Sequence, residues 1–286
     1  MPDHSFWFYL FAFLGIIPSR YFLIAGGIYW ACYTAGGQAL SKTLLEKTIV
    51  GKNALGKTIV REFFVSRSLR RSPPSPQSIQ KDVELSLLSA VIFAFAAAAI
   101  MVAYDQGLTR LYTDLDRDGL GYLGASFGLV LLLQDAYFYI VHRLFHRPLL
   151  FRWVHRGHHR SGDPTPWTSF AFDPAEAIAQ ALFFVGIVFV MPLHFIALIA
   201  VLMTMSVWSV WNHLGFELFP AAFARHWFSK WLIGPTHHSI HHRKYTVHYG
   251  LYFTFWDKLF GTQDAQYENE FDGALQPSRG EVLQRD

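Results

Sequence analysis

The sequence carries a single cysteine, Cys32, in 286 residues. That excludes an intramolecular disulfide framework and any metal cluster built from the thiolates of one chain. Charge is scarce as well: Asp, Glu, Lys and Arg make up 16% of the chain, against about 25% in an average soluble domain. The deficit falls in long apolar stretches, which points to lipid as part of the solvent. A net charge of +3 would be a faint sign of nucleic-acid binding, but the basic residues stand in blocks beside apolar runs, as membrane topology requires, and no nucleic-acid partner is expected. The HExxH pattern of zinc proteases is absent, which disfavours hydrolysis. A basic leader is also missing, so the first apolar stretch is expected to be kept rather than cleaved.

What is present is 52% hydrophobic and 17% aromatic residues, arranged in segments of helical length, since about 20 residues cross a hydrocarbon core of about 30 Å. The first region runs from Phe6 to about Leu40 and is interrupted by Pro18-Ser19-Arg20. It reads either as two short helices or as one span from near Tyr21. Further spans run from about Val83 to Tyr104 and from about Leu120 to Val141. The stretch from about Ala177 to Trp211 is too long for one crossing and holds Pro192 near its middle, which predicts a helical hairpin. The expected fold is all-α, a multi-pass transmembrane bundle of about four to six spanning or re-entrant helices. Three parts are expected: N-terminal membrane helices with a basic loop (1–119), a catalytic part (120–262) and a polar tail (263–286).

Loop charges orient the bundle. Lys42, Lys47, Lys52, Lys57, Arg61, Arg67, Arg70, Arg71 and Lys81 face only Glu46, Glu62 and Asp82 between the first two spans. The next connection holds Asp105, Asp114, Asp116 and Asp118 against Arg110 and Arg117, and the one after it holds Arg143, Arg147, Arg152, Arg156 and Arg160. Lys and Arg stay on the cytoplasmic side, so the basic loop, the loop 141–176 and the C-terminal part from His213 are expected there.

Thirteen of the 14 histidines lie from His142 onward. They form His142-Arg-Leu-Phe-His146, His155-Arg-Gly-His158-His159, and His238-Ser-Ile-His241-His242 with His237 just before. On a helix, residues three or four apart share a face, so HxxxH and the outer pair of HxxHH can converge on one ion while the remaining histidine serves a second. Eight unsatisfied imidazoles beside lipid would be costly, which argues for a metal-bearing cap over an interfacial cluster. Nitrogen ligands suit Fe, Cu, Zn or Ni alike. Asp135, seven residues before His142, reads either as an orienter of its imidazole or as a polar residue at a bundle interface. His213 and Glu217, spaced i, i+4, are candidates to add ligands. His248 reads as a partner of a ligand, and His4, His194 and His226 as ordinary interfacial residues. The aromatic runs Tyr137-Phe138-Tyr139 and Tyr252-Phe253-Thr254-Phe255-Trp256 fit a belt or a core and identify no substrate contact.

With these boxes in order, the run Pro164-Thr-Pro-Trp-Thr-Ser-Phe-Ala-Phe172 and the ending Tyr249-Gly-Leu-Tyr-Phe-Thr-Phe-Trp-Asp-Lys-Leu-Phe-Gly-Thr262, the chain resembles the fatty acid hydroxylase and sterol desaturase superfamily of integral-membrane di-iron enzymes. The likeness extends from about Leu131 to Thr262, and the Pro-Thr-Pro and Tyr-Phe-Thr-Phe-Trp-Asp runs look most like sterol C-5 desaturases. Those desaturases read Phe-His-Pro where this chain has Phe172-Asp173-Pro174, and Asn-Tyr-Gly where it has His248-Tyr249-Gly250. The resemblance implies two non-haem iron ions with dioxygen as co-substrate, held by His142, His146, His155, His158, His159, His238, His241 and His242. His213 matches ligands that members take from the last membrane helix. Glu217 stands where some members have a second histidine.

The implied reaction is desaturation of a sterol-type lipid in the bilayer, or hydroxylation of a fatty acid, sphingolipid or other lipid, in a bacterial inner membrane or the endoplasmic reticulum. The chain lacks a cytochrome b5-like His-Pro-Gly-Gly motif and a Gly-rich dinucleotide fingerprint, so electrons are expected from an external cytochrome b5-like protein or ferredoxin with its reductase. The rival reading from another class is a non-enzymatic membrane protein that carries metal or holds haem.

Overall fold

The computed structural model describes residues 4–34, 63–64 and 66–275. The expected basic residues Lys42, Lys47, Lys52, Lys57 and Arg61, with Glu46 and Glu62, lie outside the described residues, as do positions 35–40 and the last part of the polar tail. Four helices are long and apolar enough to cross a membrane: α1 (Phe6–Tyr33), α2 (Pro76–Asp105), α3 (Gly119–Phe145) and, later in the chain, α6 (Phe195–Asn212). Between α3 and α6 come α4 (Pro148–Val154) and α5 (Pro174–Val190), and after α6 come α7 (Pro235–Lys244), α8 (Phe255–Leu259) and α9 (Tyr267–Leu275). The only strands among the described residues are β1 (Leu111–Tyr112) and β2 (Leu193–His194).

Ser5 starts α1 by accepting the Phe8 N–H at 3.3 Å. Pro18 lies inside the helix without ending it, so the first region is one helix from Phe6. Wider π-helical turns follow at Phe22–Gly26 and Trp30–Thr34, the adjustment expected where a proline removes one rung of the hydrogen-bond ladder. The predicted hairpin is present as α5 and α6, turned at Met191 and Pro192. At 17 residues α5 is about 25 Å long, shorter than a full crossing of about 30 Å.

The helices pack by small residues on one side and meet lipid on the other. Ala90, Ala94 and Ala98 form a buried stripe on α2 against Tyr9, Leu10 and Ile17 of α1. Such a stripe lets backbones approach where no hydrophobic effect drives helices together. The pair runs antiparallel: the Tyr9 hydroxyl donates to Asp105 at 2.7 Å at one end, while Tyr21 and Ser86 both donate to the Trp167 carbonyl at the other. Leu23, Leu120 and Val190 are 76%, 74% and 71% exposed, an apolar exterior that suits a hydrocarbon surround.

The two ends of the bundle differ. At one, β1 pairs parallel with β2, Leu111 opposite Leu193, and His194 caps α6 by accepting the Ile196 N–H while its other nitrogen donates to the Thr113 carbonyl. At the other end every histidine box is gathered. There the Pro-Thr-Pro-Trp run wedges against α1 and α2: a Cβ on Gly26 would meet Trp167 at 2.9 Å. Buried Asp82 of α2 accepts hydroxyls from Thr168 at 2.7 Å and Ser161 at 2.8 Å, so a carboxylate read only as a loop charge ties the second box to the bundle. Asp82→Ala leaves both hydroxyls without that acceptor and is expected to cost about 2–3 kcal/mol, read as a lower unfolding temperature in detergent with helix content unchanged. An unshifted transition would show that the tie carries no stability.

Candidate metal centre

Each box is delivered by a different local structure. His142 lies in the last turn of α3 and His146 caps it. A short α4 then turns the chain so that His155 follows its end and His158–Arg160 forms a 3₁₀ turn; the second box is therefore not one helix. The third box is helical, on α7. His213 caps the end of α6.

The side chains form two groups whose ligand atoms lie within 4.8 Å of one another: His142, His146, His155, His159 and His241, and His158, His213, His238 and His242. The division follows sequence spacing. His155 and His159 go to the first group and His158 to the second, whereas His238 and His242 go to the second and His241 to the first. All eight histidines of the three boxes and His213 are thus brought together.

The hydrogen bonds on the outer nitrogens decide what the inner ones are. His142 Nδ1 is 2.9 Å from the Tyr249 carbonyl, His241 Nδ1 2.7 Å from Val247, His242 Nδ1 3.1 Å from Ser161 and His213 Nδ1 2.7 Å from Ser209. Carbonyls only accept, so each Nδ1 carries the proton and each Nε2 of the neutral ring is a bare lone pair. His155 is fixed in the same way by the Glu176 carboxylate, 2.7 Å from Nδ1. Yet the Nε2 atoms face one another: His142 and His155 at 3.0 Å, His159 and His241 at 3.0 Å, His213 and His238 at 2.9 Å, His238 and His242 at 3.0 Å. Burial first, and then neighbouring imidazoles, pushes His155, His158, His159, His238 and His241 well below the ordinary histidine value, so the neutral, metal-binding form of each ring is favoured.

The lone pairs so presented are suited to a shared cation. Five nitrogens in one group also exceed the four that a structural zinc site takes. The donor set is compatible with transition-metal binding by each group.

Three expected roles are corrected. Glu217 falls outside both groups: one oxygen accepts the Phe219 N–H at 2.9 Å, the other the Thr236 N–H and hydroxyl at 3.2 and 2.6 Å. It caps the start of α7, where a negative charge is stabilised by free N–H groups. Asp135 does not touch His142. Its Oδ1 accepts the N–H groups of Leu251, Tyr252 and Phe253 at 3.1, 2.7 and 3.3 Å, holding the segment whose Tyr249 carbonyl orients His142. His248 contacts no group member: its ring lies 5.0 Å from that of His237, which stacks on Tyr267 at 3.6 Å.

One residue passed unread in the sequence, and another was noted there only as a departure from the desaturase pattern. Glu176 is the one carboxylate, among the described residues, bonded to a grouped histidine; its signal was a lone acid opening an apolar helix. Asp173, where the C-5 desaturase pattern has histidine, accepts the Gly157 N–H at 2.6 Å, and a Cβ on Gly157 would meet that carboxylate at 2.3 Å, so the second box requires glycine there.

A cavity of about 510 Å³ leads to the groups. Its wall includes Ile16, Ile199 and Met203, which are open to the apolar exterior, and at its inner end His142, His155, His158, His213 and His238. On another side a polar groove of about 480 Å³, lined by Arg70, Arg71, Arg160 and Arg243, reaches His242 and Tyr245.

Glu176→Ala is expected to weaken metal binding by the five-histidine group by about 10–100-fold, while Glu217→Ala leaves both affinities unchanged and lowers only thermal stability. Metal titration of the two variants separates these roles. Loss of metal from Glu217→Ala would return that carboxylate to the ligand set.

Residues 127–262 match the family model described as fatty acid hydroxylase. The chain is similar to a Delta(7)-sterol 5(6)-desaturase of Gibberella zeae, 28% identical over 204 residues covering 71% of this chain and 62% of the relative. It is also similar to one of Aspergillus fumigatus, 26% identical over 224 residues covering 71% and 68%, and to lathosterol oxidase of Rattus norvegicus, 26% identical over 219 residues covering 76% and 71%. The chain thus spans less than two thirds of the Gibberella zeae relative. No solved structure matches. The matched segment carries every member of both histidine groups, and through it the chain is similar to the fatty acid hydroxylase family and to sterol desaturases.

Proposed function

We propose that this chain is a membrane-bound non-haem di-iron oxidoreductase that uses dioxygen and externally supplied electrons to desaturate or hydroxylate a lipid, with a sterol-type lipid favoured by its relatives. The observation that carries the reading is the apolar cavity that starts at lipid-facing residues and ends on both histidine groups. A metal transporter would place ionisable residues near the bilayer midplane rather than at one end, and haem needs only two axial ligands, which leaves the remaining histidines unexplained. His142, His146, His155, His159 and His241 would hold one iron and His158, His213, His238 and His242 the other. The chemistry a bound iron pair supplies is reductive activation of dioxygen and removal of hydrogen from an unactivated carbon.

The chain's own residues do the rest. Tyr249, Val247, Ser161 and Ser209 carbonyls with Glu176 keep five imidazoles in the tautomer that turns Nε2 inward. The walls from α1, α2, α5 and α6 exclude water and hold the lipid with one carbon toward the histidines, which replaces a bimolecular encounter by a fixed approach. Each turnover to alkene or alcohol consumes one dioxygen, two electrons and two protons. The arginine-lined groove beside His242 suits the docking of an acidic carrier such as a cytochrome b5-like protein or ferredoxin. The positive-inside rule supports a cytoplasmic position for the Arg-rich box end.

His158→Ala and His241→Ala are expected to insert normally, lose metal from one group preferentially and fall below detectable turnover. Full iron content with activity in either would remove the assignment. Lipid profiling of cells with and without the gene, aerated and oxygen-starved, tests the reaction: an oxygen-dependent new double bond or hydroxyl in a lipid supports it, and an unchanged lipid profile contradicts it. For sidedness, a cysteine at Arg160 in a Cys32-free protein should resist an impermeant thiol reagent applied from the outside, whereas one at Asp116 should react. The opposite pattern would invert the topology.

A further inference from the structure

For a helix in water, α8 is inside out. Its buried side chain is a carboxylate, Asp257, which accepts the N–H groups of Tyr249 and Gly250 and the Thr262 hydroxyl, while Phe255, Leu259 and, at its end, Phe260 are exposed. The chain ahead of α7 repeats the pattern, with Trp227, Phe228 and Trp231 exposed. The two pieces form one surface. Thr254 donates its N–H to the Trp231 carbonyl at 2.9 Å and its hydroxyl to the Lys230 carbonyl at 3.0 Å, and the Lys258 ammonium reaches the same Lys230 carbonyl at 3.1 Å.

Neither piece belongs to a spanning helix, but one such helix fixes their depth. The Tyr139 ring, in the last two turns of α3, stacks on Phe260 at 5.5 Å, and its hydroxyl pairs with Thr262 at 2.9 Å. Arg143, one turn later, lies 5.8 Å from the Phe260 ring. The exposed apolar face of α3 continues to Ile140 and Leu144, so α8 lies where hydrocarbon gives way to headgroups. Exposed rings and lysines at that depth suit the interfacial layer, which takes the ring and the charge together.

The charge on this surface has no counterpart in the chain. Lys258 Nζ lies 4.1 Å and Lys230 Nζ 5.7 Å from the centre of the Trp231 ring, so two ammonium groups converge on one indole. Neither has a carboxylate within ion-pair distance among the described residues, whereas elsewhere on the cap Arg225 pairs with Glu268 and Asp272, and Arg243 and Lys244 with Glu270. Burial, and then the charge of Lys230, pushes the Lys258 amine below its ordinary value, against a smaller opposing pull from Glu268. Cation–π attraction holds the amines at the ring but does not cancel their charge. Like charges gathered on an apolar surface call for an anion that brings apolar material with it.

We infer that α8 and the segment 227–231 form a foot resting in the interfacial layer at the histidine end of the bundle, where Lys230 and Lys258 bind the phosphate of an anionic phospholipid. A phosphodiester has two free oxygens, one for each ammonium. A zwitterionic lipid offers the same phosphate but adds a cation beside the two lysines, so the site discriminates by headgroup charge. It needs no metal and stands apart from the reaction proposed above.

A bimane fluorophore attached through Leu259→Cys, in the full chain carrying Cys32→Ser, tests both parts in phosphatidylcholine vesicles. Lipids with a nitroxide at the top of one acyl chain should quench it strongly and aqueous acrylamide weakly. Nitroxide phosphatidylglycerol should reach half-maximal quenching at about 25-fold lower mole fraction than nitroxide phosphatidylcholine, with each lysine contributing about 5-fold. Lys230→Gln and Lys258→Gln should each remove that share, while Lys258→Arg, which keeps the charge, retains it. Strong acrylamide quenching with weak lipid quenching overturns the foot and leaves the surface to a water-borne partner. Weak quenching from both sides also overturns it, because a second copy would then cover the surface. Equal quenching by the two lipids, or a preference that neither substitution to glutamine lowers, overturns the headgroup site. So does a preference abolished by inorganic phosphate but not by chloride at equal ionic strength, since the lysines would then take a soluble anion.

Discussion

The structure is organised around nine histidines crowded into two groups at one end of the bundle. Their Nε2 atoms face each other at 2.9–3.0 Å in a buried volume, and backbone carbonyls hold the Nδ1 protons of His142, His241, His242 and His213, which leaves the Nε2 atoms of those four as lone pairs. A cation at each group would turn that crowding into binding energy and couple metal loading to folding of the cap. Every other feature of this end of the bundle serves to hold the rings in place.

The supports come from far apart in the chain. Asp135 near the end of α3 and Asp257 on α8 share the segment 249–253: Asp257 accepts the Tyr249 and Gly250 N–H groups at 2.9 and 3.0 Å, and Asp135 takes the next three. That segment then offers the Tyr249 carbonyl to His142. Asp82, Ser161 and Thr168 fasten the second box to α2, and Glu217 fastens the start of α7. Each carboxylate satisfies N–H or hydroxyl donors rather than a metal, so the metal groups remain nitrogen-only and neutral. Neutral ligands would leave the charge of a bound ion uncompensated and so favour its lower oxidation state.

Much of this was legible before any coordinates, because it depends on local periodicity. Helix spacing of three and four assigned the inner and outer histidines of the HxxHH boxes to different groups, and the 3₁₀ turn at His158 preserved that division even though the second box is not helical. Apolar length and Pro192 gave the hairpin. What was illegible depends on distant partners. Asp135 shares a face with His142, yet the N–H groups of Leu251, Tyr252 and Phe253 claim it. Glu217 has ligand spacing from His213, yet the open N-terminus of α7 claims it. Pro18 suggested a break that packing against Ala90, Ala94 and Ala98 overrides.

X-ray absorption and metal analysis of the purified, unmodified protein bear most directly on the central claim of two nitrogen-lined ions. Two irons per chain, nitrogen ligands at about 2.1 Å and no Soret band are predicted. Four-coordinate zinc, a haem spectrum, or a single ion shared by all nine histidines would contradict it.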